Sequence, residues 1–358
     1  NSSAFFILLL ACARQGVVVA PLNWRLSGEE LQRLLERIGP KAVVADAENA
    51  PNLPGTPASR ATDWPGVTQW LLLNAPQGGP LAEGFTLLSD LAACAPPPRP
   101  ELGAAAPAAI IATAAVDVIP RGAVLSHGNL LAANVQLMAA LALSPADGNL
   151  LALPLFHIAG LGTALAFLHA GAVNAVMPRY DAAAAVALID QHRLTHLGDF
   201  PPILSSLLDA AQEADSALPT LRLVTGLDAP DTMRRLHENT HATFWTGFSQ
   251  TETSGFVTLH NAREGLGSAG VPGLLSAVRL EDEAGHPVPT GTTGEICVRG
   301  PLVFQGFDGL PEITAHTFRG GWHHTGDVGR IEETGHLSYI KRRPEKQLIK
   351  SGGENIYP

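Results

Sequence analysis

The chain is poor in cysteine, in aromatic residues and in charge. Its three cysteines in 358 residues (Cys12, Cys94 and Cys297) are scattered and odd in number. That excludes a disulfide framework, shows no metal-ligand spacing, and fits a reducing, cytoplasmic compartment. The net charge is −10, and no run of Lys and Arg is long enough to collect phosphates along a nucleic-acid backbone. The apolar run Phe5–Cys12 has no basic residue and no methionine before it and is far shorter than a membrane span, so it reads as a buried helix. No stable membrane insertion is expected. A dinucleotide-binding oxidoreductase is disfavoured because no G-x-G-x-x-G turn follows a strand.

What is present is 46% hydrophobic residues with only 16% charged, the texture of a well-buried globular chain of two or three domains. Residues 4–16 read as a helix ending at Gly16, and Val17–Ala20 as a short strand covered on both faces. Ser27 with Glu30 forms a capping box for a helix whose Leu31, Leu34, Leu35 and Ile38 share one face. Ala42–Ala45 is a second strand. Residues 51–107, rich in Pro, Ala and Gly, read as surface loops around one strand at Trp70–Leu73. From Ala108 to about residue 270 strands and helices alternate, which implies parallel sheets with crossover helices. After Gly270 short strands separated by turns imply an antiparallel sheet. The expected fold is α/β: two stacked α/β subdomains with mostly parallel sheets plus a small antiparallel β subdomain or barrel. The expected boundaries are 1–165, 166–270 and 271–340, with 341–358 a hinge into a further domain. The chain opens without methionine and stops at GGENIYP in mid-motif, which reads as truncation at both ends.

Two polar runs carry the chemistry, Thr246–Gly255 (TGFSQTETSG) and Trp322–Asp327 (WHHTGD). Phe248 offers a ring face to a base. Thr251, Glu252 and Thr253 offer hydroxyls and a carboxylate for phosphate or for its magnesium, and Asp327 can accept from both hydroxyls of a ribose. His323-His324 has no third ligand at metal spacing and reads as a loop pair beside the ribose.

With VVVAPLNWRLSGEEL at Val17, PRGAVLSHGNL at Pro120, LPLFHIAG at Leu153 and GEICVRGP at Gly294, and with the second run extended as one block from GWHHTGDVG at Gly321 through KSGGENIYP, these runs make six ordered blocks. In them the chain resembles the adenylate-forming enzymes, in the acyl-CoA synthetase branch. The resemblance implies an AMP-forming acid–thiol ligase: ATP and a small carboxylic acid give an acyl-adenylate and pyrophosphate, and coenzyme A takes the acyl group. By resemblance Glu252 holds Mg2+, and Thr251 and Ser249 lie at the nucleotide. Phe248 stacks on adenine opposite Gly226, Leu227 and Asp228 of GLDAP. Asp327 and Arg342 grip the ribose, and His157 gates the carboxylate. The acid pocket is expected from about 156–163, 197–204 and 246–247, for an uncharged aryl, alicyclic or short-to-medium alkyl acid. A homodimer is compatible with all of this and not required by it. The family's mobile C-terminal lid is almost wholly absent, so this stretch alone is expected to be weak or inactive.

One block departs from the family. Its phosphate loop is rich in Thr, Ser and Gly with a Lys, whereas Thr113–Gly122 reads TAAVDVIPRG. Thr113, Pro120 and Gly122 match, Arg121 replaces Lys, and Asp117 adds negative charge near the expected triphosphate. Each like charge at 4 Å costs roughly 4 kcal/mol at an effective dielectric near 20, before relaxation. The alternative reading is therefore a non-catalytic or weakly active nucleotide- or acyl-binding homologue with a degenerate loop.

Overall fold

A computed structural model describes residues 1–76, 80–81, 83–91, 95, 97–113, 121–342, 349–351 and 354–356. The opening helix runs Ser3–Gln15, capped by the Ser2 hydroxyl and ended by Gly16 at φ 68°, a left-handed conformation that glycine adopts without steric cost. Val17 and Val18 are exposed, and Val19 makes only an isolated parallel bridge to Ala109. The strand expected there to be covered on both faces is thus exposed at Val17 and Val18 and only half-buried at Val19, which packs against the core, and at Ala20. The helix Gly28–Ile38 carries the expected capping box, Ser27 and Glu30 bonding reciprocally.

Residues 51–107 hold more than loops. Strands β1 (Ala42–Ala45), β2 (Gln69–Leu72) and β3 (Thr86–Leu87) form a parallel sheet, with the helix Pro57–Asp63 between the first two. Proline masked this helix in the sequence, yet Pro57 stands in its first turn, where its missing N–H costs nothing. Strands β4 (Pro107–Ala112) and β5 (Gly122–Ser126) pair antiparallel.

The central sheet has seven strands. Five are parallel: β6 (Gly148–Leu151), β7 (Val173–Val176), β8 (His196–Asp199), β9 (Leu223–Gly226) and β10 (Thr243–Thr246). After the short pair β11 (Ser249–Gln250) and β12 (Gly255–Phe256), β13 (Thr258–Asn261) and β14 (Val271–Pro272) extend the sheet antiparallel. The spatial order is β14-β13-β10-β9-β8-β6-β7. Contrary to the expectation that no G-x-G-x-x-G run follows a strand, Gly265–Gly270 (GLGSAG) does follow β13, but it leads into β14 and so opens no helix onto which a pyrophosphate could dock.

Buried polar side chains cross the middle of this sheet. Asn174 Nδ2 donates to Ala164 O at 3.0 Å, and Asn149 Nδ2 to Asn174 Oδ1 at 2.8 Å. His196 Nδ1 meets Asn149 Oδ1 at 2.8 Å, and Nε2 meets the Thr225 hydroxyl at 2.9 Å. Because the amide oxygen can only accept, the His196 proton sits on Nδ1. Complete burial pushes that imidazole down to about 3, so it stays neutral.

The antiparallel part comprises β15 (Ala277–Glu281), β16 (Thr293–Arg299), β17 (Gly306–Phe307), β18 (Phe318–Arg319), β19 (Trp322–Ile331) and β20 (Leu337–Arg342). Strand β17 leaves to pair with β5, while the others order as β15-β16-β19-β18 with β20 on β19. His323 and His324 therefore lie within a buried strand and not in a loop, because alternation across the sheet, hidden by the polar letters, governs this stretch.

Replacing Asn149 by Leu orphans the His196 donor and the Asn174 acceptor together. We expect Asn149→Leu to cost about 2–4 kcal/mol in urea denaturation, with unchanged far-ultraviolet circular dichroism before the transition.

Candidate active site

In an open parallel sheet the space beyond the carboxyl ends of the strands is where loops of several strands converge. Most of the sequence-predicted residues lie there. His157 follows β6, Gly226-Leu227-Asp228 closes β9, and Phe248, Ser249, Thr251 and Glu252 follow β10. Two glycines permit the strand ends to close up. A Cβ on Gly226, at φ 157°, would stand 1.9 Å from Asp199 O, and one on Gly247 would stand 2.0 Å from Thr258 O. Side chains there would push adjacent loops apart.

Thr251, Glu252 and Thr253 form a single 3-10 turn. The Thr253 hydroxyl accepts from Gln250 N at 3.1 Å and donates to Gly255 O at 2.8 Å, while Glu252 O accepts from Phe304 N at 2.8 Å. The Ser254 hydroxyl donates to Leu302 O at 2.8 Å. Hydrogen bonds to segment 302–304 thus hold the turn, and the Glu252 carboxylate stays partly exposed. Phe248 is 7% exposed and packs with Val257, Ile296 and Leu302, so it is mainly core and presents little ring surface. Ser249 and Leu227 are exposed.

The two polar runs meet through Gln250. Its Nε2 donates to Asp327 Oδ2 at 2.5 Å and to Thr325 O at 3.1 Å, and its Oε1 faces His323 Nε2 at 3.2 Å. The Tyr339 hydroxyl donates to Asp327 Oδ1 at 3.2 Å. Asp327 is buried at 1% exposure, and a carboxylate offers about four lone-pair sites in all. Gln250 and Tyr339 were not among the sequence candidates. Gln250 stands inside the singled-out run, but an amide there carries no signal of its own until its partner 77 residues away is known.

Arg342 lies opposite Asp327 in the β19–β20 register, and its side chain falls outside the described residues. So do Ala114–Pro120, most of the altered phosphate loop. The loop's ends are described: Thr113 N donates to Arg121 O at 2.7 Å, and the Arg121 guanidinium lies 5.6 Å from the Phe307 ring. His157 caps the helix Ile158–His169, its Nδ1 accepting from Ala159 N at 3.1 Å. The neutral ring then carries its proton on Nε2. Its edge meets Phe200 at 6.1 Å.

Behind this edge lie two acids. Asp199 is fully buried, with Oδ1 accepting from Leu204 N at 2.9 Å. Asp199 Oδ2 and Asp228 Oδ2 are both buried without a donor. Burial first, and the Asp228 charge second, push the Asp199 carboxyl up to about 8, so Asp199 itself carries the proton that is otherwise lacking.

A family model described as AMP-binding enzyme matches residues 1–307. The chain belongs to the AMP-binding enzyme family. It is 33% identical to a feruloyl-CoA synthase of Amycolatopsis sp and 32% identical to an indoleacetate–CoA ligase of Aromatoleum aromaticum, covering all of itself and 70% of each relative. Among solved structures, a provisionally named long-chain-fatty-acid CoA ligase of Rhodopseudomonas palustris CGA009 superposes with a TM-score of 0.88 at 39% identity, over 96% of this chain and 84% of that one. The α/β architecture with its antiparallel sheet is that of the adenylate-forming CoA ligases.

The Asp199 proton gives this family member a pH signature. A carboxyl raised from 3.8 to about 8 contributes stability that is complete below pH 4 and lost as pH rises towards 8, by at most about 1.4 kcal/mol per unit. Asp199→Asn mimics the protonated form, so its denaturation midpoint should stay nearly flat between pH 5 and 8 while the parent's falls.

Proposed function

We propose that this AMP-binding enzyme is an acid–thiol ligase whose nucleotide lies across the carboxyl edge of the central sheet, between the Thr251–Thr253 turn and Asp327. The observation that carries this reading is the Gln250 bridge, which holds Asp327 beside that turn. A carboxylate oxygen of the acid attacks the α-phosphorus of ATP, the bond to pyrophosphate breaks, and pyrophosphate leaves with its electron pair. The sulfur of coenzyme A then attacks the acyl carbon, AMP leaves with the electrons of the mixed-anhydride bond, and the thiol proton passes to solvent. Both steps join anionic partners, so positioning and charge stabilisation carry much of the rate.

In this proposal Glu252 and the Thr251 hydroxyl hold Mg2+ and phosphate oxygens, and their hard oxygen donors suit that cation. When bound, Mg2+ supplies charge neutralisation on the phosphates. Gly226, Leu227 and Asp228 border the base, with Ser249 beside them and the small accessible part of Phe248 opposite. Asp327, with Arg342, accepts and orients the ribose hydroxyls. Thr113 and Arg121 stand at the two ends of the phosphate loop. His157, poised by its cap bond and packed against Phe200, borders the carboxylate. The aromatic pair His157–Phe200 and the relatives named for ferulate and indoleacetate favour aryl carboxylic acids as the first substrates to test.

Calorimetric titration should detect a non-hydrolysable acyl-adenylate mimic, and Asp327→Ala should abolish the heat. Absence of binding to the parent protein would remove the ligase reading. For the altered loop, Asp117→Asn should tighten Mg-ATP binding by about threefold to tenfold by removing one like charge in a partly solvated site. An unchanged affinity would mean that Asp117 lies away from the triphosphate.

A further inference from the structure

The antiparallel sheet contains a second cluster of reactive side chains, which the ligase chemistry does not use. Glu281 on β15, Glu295 and Cys297 on β16 and His324 on β19 are all buried, at 2%, 5%, 0% and 6% exposure. The strand registers bring them together: Glu281 is opposite Glu295, and Cys297 is opposite His324. Cys297 Sγ lies 3.4 Å from His324 Nδ1, which in turn is 3.1 Å from Glu295 Oε2, and His324 Nε2 lies 3.5 Å from Glu281 Oε2. One ligand atom from each of Glu281, Cys297 and His324 falls within 4.8 Å of the other two. We propose that Glu281, Cys297 and His324 form a structural site for a borderline divalent cation, zinc foremost, which clips three strands of the sheet together.

The donor set is the first argument. Thiolate sulfur, imidazole nitrogen and carboxylate oxygen together suit zinc, whereas magnesium and calcium take oxygen alone. Spacing is the second. Ligands at about 2.0–2.3 Å in a tetrahedron stand roughly 3.3–3.7 Å apart, so gathering these atoms asks for side-chain adjustment and no strand movement. The imidazole now meets sulfur and carboxylate through different nitrogens, and a cation would take one of them.

The charge balance allows a cation. Arg279 pairs with Glu281, and Arg319 Nη2 lies 3.0 Å from His324 Nδ1 and 3.6 Å from Glu295 Oε2. These two arginines offset the two glutamates. A cation that displaces the thiol proton to solvent adds one net positive charge. Arg319, with a 41% exposed side chain, can turn outward to relieve it and open a path of entry. Without a cation, burial and then the neighbouring glutamates push the Cys297 thiol up, and metal coordination reverses that preference by taking the thiolate. His324 precedes Asp327 by three residues in the same strand, so a cation here would stiffen the strand that presents the ribose carboxylate.

The test is Co2+ titration of the full chain after chelator treatment, followed by absorption spectroscopy. We expect one equivalent to develop a thiolate-to-metal charge-transfer band with tetrahedral visible bands, and Zn2+ to erase both. Cys297→Ala should lose the charge-transfer band, and Glu281→Gln should weaken Co2+ binding about tenfold or more. No stoichiometric band in the parent would overturn the site, as would a band that persists in Cys297→Ala and so belongs to Cys12 or Cys94. Should Cys297→Ala fail to fold, as judged by circular dichroism, Glu281→Gln decides alone, and undiminished affinity in it rejects the proposal.

Discussion

The polar row Asn174–Asn149–His196–Thr225 holds four parallel strands at one register, and everything at the sheet's carboxyl edge depends on that register. Apolar contacts alone would tolerate sliding, because Leu, Val and Ala in neighbouring strands are nearly interchangeable. A hydrogen-bonded row is not tolerant. A one-residue slip turns each of its members to the opposite face and strands buried donors and acceptors. With the register set, the loops after β6, β8, β9 and β10 start from defined heights, and glycines 226 and 247 let them close on one another.

The second constraint joins the α/β core to the antiparallel sheet. Gln250 belongs to the turn that follows β10, yet its amide is spent on β19, on Asp327 and Thr325. The neighbouring Thr251–Thr253 turn is tied to segment 302–304 through Glu252 O and the Ser254 hydroxyl. Phe248 buried among Val257, Ile296 and Leu302 adds an apolar anchor to the same joint. A nucleotide lying across it would touch side chains whose positions are interdependent, which is the preorganisation that adenylate chemistry requires.

Much of this was legible beforehand because it rests on local rules. The Ser27 cap, the Gly16 terminus, strand Ala42–Ala45 and the change of texture after Gly270 follow from capping geometry and periodicity. Those rules act over a few residues. The six ordered blocks revealed the family for a similar reason, since each is a short run whose residue types serve one local task. The failures were non-local. Val17–Ala20 has the composition of a covered strand, but only tertiary packing decides what covers it. Within residues 51–107, around the one strand expected there, loop-like composition hides the helix Pro57–Asp63 and strand β3, and WHHTGD looked like a loop because its polar letters obscure a strand buried on both faces.

The sequence by itself therefore determined the family, the α/β alternation and most of the candidate residues found at the carboxyl edge of the central sheet, because these are written in contiguous stretches. Tertiary structure alone decided that Gln250 meets Asp327, that Asp199 and Asp228 oppose unpaired oxygens, and that Cys297 and His324, found without metal spacing along the chain, stand beside Glu281. These pairings join residues well apart along the chain, 77 positions for Gln250 and Asp327 and 27 for Cys297 and His324. Their separation in space is set by strand order and register, which no short stretch of sequence encodes.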